Sequence, residues 1–178
     1  MPTTVVHFRA GVDLPDHAYL DTNFLFHSLD QASPKYRSAS LCFRELVQRQ
    51  IELSVSALVF DELWWGLFRV SHRLLTGREL TGREYKDDPE IWRWAWPRVR
   101  EITEEILNWP RLRILESASS RELVRGARDL MNVNPLAPRD AFHLAAVLSH
   151  GIPALVTADS DFDSVQLPGG QQLTIVKF

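Results

Sequence analysis

From Pro138 to Asp163 the chain reads as helix, turn, buried strand and acidic loop, and that order restricts the folds open to it. Pro138 suits the first turn of a helix, where its missing N–H costs nothing, and Asp140 then lies near the positive end of that helix. Phe142, Ala145, Ala146 and Leu148 follow with helical packing, and Gly151 and Pro153 end the run. Ala154 to Thr157 is a short apolar segment of the kind that forms a strand buried on both faces of a parallel sheet. It leads directly to Asp159, Asp161 and Asp163. Ligands of open α/β sheets bind beyond the C-terminal ends of the strands, so this acidic loop is a candidate site.

The remainder of the chain repeats the alternation. Val5 to Phe8 reads as a short edge strand and Gly11 to His17 as a polar turn. Ala18-Tyr-Leu20 is a strand that stops at Asp21-Thr22-Asn23, three residues that favour a helix start, and Ser33-Pro34 breaks the helix that follows. Ser38 to Gln50 predicts a second helix, Ile51 to Val55 a strand, and Ser56 the cap of a long helix through Val70. Residues 76–88 are charged and aperiodic and are expected to form a surface excursion. Pro89 opens a helix to about Asn108. Arg113 to Leu115 is a strand, Ser119 to Met131 a helix, Asn132 to Ala137 a loop, and Leu173 to Val176 the last strand. Strands alternating with helices predict an α/β fold with a parallel sheet flanked by helices.

With 178 residues, 45% of them hydrophobic, one good core is expected, hence a single domain over 1–178. The lone Cys42 cannot form an internal disulfide and no charged-then-apolar leader opens the chain, which predicts a cytoplasmic, reducing environment. No apolar run is long enough to span a membrane. The net charge of −3 argues against a general polyanion coat, although 17 of the 20 basic residues are arginine, the residue suited to bidentate phosphate contacts.

The acids carry the chemistry. Asp21 leaves the first confident strand, Asp159 leaves a later one, Asp140 starts a helix, and Glu62 can join them from the long helix. Carboxylates held close together raise one another's pKa, and a divalent cation removes that penalty. Oxygen-only ligands favour Mg²⁺ or Mn²⁺ over zinc, and such a cation serves phosphoryl chemistry.

Ala18 to Leu25, Ser56 to Gly66 with Glu62, Pro138 to Ala145, and Val156 to Phe162 together resemble the four acidic motifs of PIN-domain ribonucleases, with the nearest likeness to VapC-type toxins. The motifs occur in the family's order and span most of the chain. The resemblance implies a Rossmann-like three-layer α/β/α fold. It also implies a Mg²⁺- or Mn²⁺-dependent endoribonuclease leaving a 3′-hydroxyl and a 5′-phosphate, homodimerisation, and inhibition by a small antitoxin protein. Carried over by position, Asp21, Glu62, Asp140 and Asp159 are the metal-binding catalytic set, with Asp161 or Asp163 as a further ligand. Thr22, Asn23 and Thr157 resemble positions that orient the ligands or the metal's waters. The segment from Leu75 to Pro97 is longer and richer in tryptophan than a minimal member of the family.

Each assignment has a plainer rival. Asp21 can simply cap the helix after it, Asp140 can be only a favourable first-turn charge, and Asp161 and Asp163 are frequent turn residues. Asp61 is adjacent to Glu62, about 100° around the helix, so one of the two faces the site, and the motif selects Glu62. Arg139 and His143 flank Asp140 and are candidates for substrate contact, although a packing histidine is the plainer reading. Arg69, Arg73, Arg78 and Arg83 are candidates for drawing RNA in. Trp64, Trp65, Trp92, Trp94, Trp96 and Trp109 are expected mostly as core and packing aromatics, any exposed ones pointing to a protein partner or dimer face. Asn23 stands where a haloacid-dehalogenase-type enzyme needs a second aspartate. Lys177 alone does not make a receiver-type phosphoacceptor site. The remaining alternative is a PIN-like scaffold that binds RNA or a partner without cutting.

Overall fold

The computed structural model describes residues 3–87, 89–116 and 120–178. Six strands form one sheet in the order β1-β6-β5-β2-β3-β4: β1 Thr4–His7, β2 His17–Leu20, β3 Glu52–Val55, β4 Leu112–Ile114, β5 Ala154–Val156 and β6 Thr174–Lys177. Every pairing among them is parallel. The register places Leu20 beside Val156, so β2 and β5 end level with each other. Both are buried along nearly their whole length, as uninterrupted apolar strands in a parallel sheet must be.

Among the described residues the helices are α1 Thr22–Leu29, α2 Tyr36–Gln48, α3 Ala57–Thr76, α4 Gly82–Asp87, α5 Pro89–Leu107, α6 Ser120–Val133 and α7 Pro138–Ser149. From β2 the chain steps outward to β3 and β4, then returns through α6 and α7 to β5 on the other side of β2. Right-handed crossovers therefore put α1 to α5 on one face and α6 and α7 on the other. The helix contacts agree, since α1 packs on α2 and α3, α3 on α5, and α6 on α7. The result is a three-layer Rossmann-like sandwich whose direction reverses between β2 and β5. Tyr19, Leu20, Leu53, Val55, Leu144, Leu155 and Ile175 lie at its centre.

Three expectations need correction. The stretch over 76–88 does more than loop over the surface. Gly77, in the left-handed conformation, ends α3, Leu80 is buried, and Tyr85 on α4 packs edge-on against Trp65 and Phe68. Asp88 itself, like the expected helix start at Ser119, lies outside the described residues. Ser56 occupies the N-cap of α3 with extended backbone, but its hydroxyl makes no capping bond, because it is held 2.7 Å from the Tyr19 hydroxyl. Most of the tryptophans are not core residues: Trp64, Trp92, Trp94 and Trp96 are exposed, while Trp65 and Trp109 pack partly buried against the core.

Candidate active site

The C-terminal ends of β2 and β5 are joined by side chains rather than by backbone alone. Asp21 follows Leu20 and is the N-cap of α1: its Oδ1 accepts from Thr22 N at 2.7 Å. Its Oδ2 accepts from Asn23 Nδ2 at 2.6 Å and from the Thr157 hydroxyl at 2.7 Å. The Thr157 oxygen in turn accepts from Asn23 Nδ2 at 2.9 Å and from Asp159 N at 3.0 Å, and Asn23 Oδ1 takes Ala158 N at 2.9 Å. An ionised carboxylate has about four acceptor positions, so Asp21 keeps one, on Oδ1. Helix cap and ligand are thus compatible roles for the same side chain.

Glu62 comes from the second turn of α3. Its Oε2 accepts from Thr22 Oγ1 at 2.7 Å and meets His143 Nε2 at 3.2 Å, while its Oε1 lies 3.7 Å from Arg139 Nε. Burial opposes its charge, but the hydrogen bonds from His143 and Thr22 and the nearby guanidinium outweigh that, and Glu62 titrates below the ordinary range. Asp61 is exposed, does not line the cleft, and pairs with the same Arg139 at 3.3 Å.

Asp140, on the first turn of α7, completes the approach from the opposite face of the sheet. Carboxylate oxygens of Asp140, Asp159 and Asp161 lie within 4.8 Å of one another, and ligand atoms of Asp21, Glu62 and His143 form a second such group. Partial burial, followed by the charges of Asp159 and Asp21, pushes the Asp140 carboxyl up to about 6. Burial likewise raises Asp21. Asp21, Glu62, Asp140 and Asp159 all line one cleft of about 620 Å³. Among the described residues no lysine or arginine pairs with Asp21, Asp140, Asp159 or Asp161. The carboxylates of Asp21, Asp140, Asp159 and Asp161, crowded and without a paired lysine or arginine among the described residues, fit a hard divalent cation.

Other candidates fall elsewhere. Asp163 turns away to Lys177, 2.6 Å from its Nζ, and Lys177 also donates to the Asp159 carbonyl, which fixes the loop after β5. His143 does not reach the cleft: its side chain is 1% exposed and both ring nitrogens are engaged, with Glu62 and with Tyr19. It supports the site from behind rather than meeting a substrate. Arg139 is held by Asp61 and Glu62. Of the arginines on and after α3, Arg73 lines the cleft, and Arg69 and Arg78 pair with Glu79 and Glu84; the Arg83 side chain lies outside the described residues.

Sequence reasoning missed Tyr19, which reads as one more apolar strand residue. The available signal was its hydroxyl, since a phenol buried in a central strand needs a hydrogen-bond partner. It also missed the α1 side of the cleft, lined by Phe26, His27, Asp30 and Ser33.

No curated protein sequence matches this chain. Among solved structures, it is similar to VapBC2 from Rickettsia felis bound to a promoter DNA fragment (14% identity, 91% of this chain and 98% of that one, TM-score 0.57). It is also similar to VapC20 of Mycobacterium tuberculosis, described as a Sarcin-Ricin loop cleaving toxin (15% identity, 82% and 92%, TM-score 0.55). A third is DNA-bound VapBC from Salmonella typhimurium (18% identity, 90% and 97%, TM-score 0.54). At these identities the likeness speaks for the fold. A family model described as the PIN domain matches residues 18–167, which takes in every strand of the site and all four of its acids, and the chain belongs to the PIN domain family.

Proposed function

We propose that this protein is a divalent-cation-dependent endoribonuclease, the toxin of a toxin–antitoxin pair. The observation that carries the reading is the convergence of Asp21, Glu62, Asp140 and Asp159 on one cleft, three of them with no paired cation among the described residues. Membership of the PIN domain family and the likeness to VapC-type structures support it. A cation of the Mg²⁺ or Mn²⁺ class, when bound, makes water nucleophilic at neutral pH and neutralises charge on phosphate oxygens. Asp21, Asp140 and Asp159 would hold it, with Asp161 at the exposed edge and Glu62 Oε1 from α3. Thr22, Asn23 and Thr157 keep the Asp21 and Glu62 carboxylates in one orientation, which is the work of residues just behind a metal site. Without a cation the cleft repels a phosphate backbone. Arg73 lines the same cleft as the side chain to receive one.

The antitoxin is proposed on the neighbours: the R. felis and S. typhimurium structures are of VapBC. The exposed tryptophans of α5 fit the expectation of a protein-binding face, for antitoxin or a second copy. No helix among the described residues is long and apolar enough to cross a membrane, and a cytoplasmic RNA substrate belongs to the same proposal. The test is cleavage of tRNA, rRNA and mRNA with Mg²⁺ or Mn²⁺ against a chelator. Asp21→Asn and Asp140→Asn should each lower the rate at least 100-fold while circular dichroism stays unchanged. Cleavage that survives either substitution at the wild-type rate, or that ignores EDTA, removes the mechanism. RNA binding without cutting in every metal would favour the scaffold reading.

A further inference from the structure

Tyr19 is among the largest fully buried side chains, and its hydroxyl has two partners: Ser56 Oγ at 2.7 Å and His143 Nδ1 at 2.7 Å. His143 Nε2 continues to Glu62 Oε2, which also takes the Thr22 hydroxyl. The directions of these bonds follow from the donors available. An ionised carboxylate only accepts, so His143 Nε2 carries a hydrogen. In a neutral imidazole Nδ1 is then bare, and Tyr19 must donate to it. Having one hydrogen, Tyr19 must accept from Ser56. The chain runs from Ser56 to Tyr19 to His143 to Glu62, across β2, α7 and α3.

Ser56 gives an independent indication. It stands in the N-cap position of the 20-residue helix α3 with the right backbone, yet its hydroxyl serves Tyr19 and not the helix. A capping serine is ordinarily favoured because it satisfies a free N–H of the first turn. Here that contribution is forgone for a bond to the base of the site.

We propose that Tyr19 is a positioning residue for Glu62: it holds His143 in the Nε2–H tautomer, and His143 then fixes the Glu62 carboxylate with Oε1 left for the cleft. This rests on reading the site as a hydrolytic centre. The experiment uses the full chain and a fluorogenic single-stranded RNA oligonucleotide of mixed sequence, with ¹⁵N imidazole NMR of the metal-free protein. Tyr19→Phe keeps the ring and removes the hydroxyl, and should lower kcat about 10- to 100-fold, the usual range for residues that orient metal ligands, with KM within about twofold. The NMR spectrum of His143 should move from a single Nε2–H tautomer toward an averaged pair. Ser56→Ala, a milder change, should act in the same direction by a few-fold. His143→Gln supplies a fixed N–H at the Nε2 position, so adding Tyr19→Phe to it should cost nothing more. An unchanged tautomer in Tyr19→Phe, or an equal loss in both backgrounds, overturns the proposal. If the wild type cuts no RNA in any metal, the ribonuclease reading falls and the tautomer spectrum alone decides the role of Tyr19.

Discussion

Asp140 shows how one side chain records the tension of its surroundings. Its folded carboxyl titrates near 6 against 3.8 for the free group, because burial and then Asp159 and Asp21 disfavour its charge. The folded state therefore holds the proton longer than the unfolded one, and stability without metal falls as the pH rises from about 4 to 6. Asp140→Asn removes that dependence. The variant should be more stable than wild type at pH 7 by about 1 kcal/mol, after allowing for solvent screening of a partly exposed acid, with the gap closing below pH 4. Urea titrations across that range check it, and a variant no more stable at pH 7 would show the crowding to be inconsequential. The acids were legible in the sequence because strand ends and helix starts bring charged residues to one edge of an α/β sheet. Tyr19 was not, since only the three-dimensional meeting of β2, α3 and α7 reveals that its hydroxyl has something to hold.

At the level of helices and strands, nearly every element was readable from periodicity, Pro and Gly, and failures cluster where long-range packing decides. Gly66 is the clearest case. A Cβ there would sit 2.1 Å from Phe26 Cζ, so the ring from α1 lies directly on α3 where that helix has no side chain. Nothing at either position in the sequence announces a partner 40 residues away. Gly66→Ala must displace Phe26, a wall of the cleft, and should destabilise the fold by about 1–3 kcal/mol despite the better helix propensity of alanine. A denaturation midpoint equal to or above wild type would contradict that packing. The excursion after α3 was misjudged for a related reason: α4 is too short to show a period, and it is held by Tyr85 against Trp65, Phe68 and Trp92. The same rings carry two of the exposed tryptophans: Trp92 packs on Phe68 and Tyr85, and Trp96 lies against Trp92, so they build outward from the α3–α5 layer instead of filling the centre.

For the molecule as a whole, the charge distribution matters more than the mild total of −3. The acidic cleft is a local excess that a cation should relieve, so millimolar Mg²⁺ or Mn²⁺ should raise the melting temperature of wild type and not of Asp21→Asn, reversibly with EDTA. Equal shifts in both proteins would indicate binding elsewhere. Arg73, which lines the cleft, is 3.5 Å from Glu79, an exposed and weak pair. Arg73→Ala should raise KM for RNA and reduce the salt dependence of binding by about one counterion, whereas Glu79→Ala frees the guanidinium and should lower KM. Identical effects of the two substitutions would deny Arg73 that role. One more consequence lies in the distance between partners along the polypeptide. The Asp21 carboxylate is oriented by a hydroxyl 136 residues downstream, just after β5, which the ribosome releases long after β2. A chain in which Thr157 has not yet been made therefore carries its acids unassembled, and on the proposed ribonuclease reading it stays inert toward the RNA of the machinery producing it until β5 and the loop after it have folded.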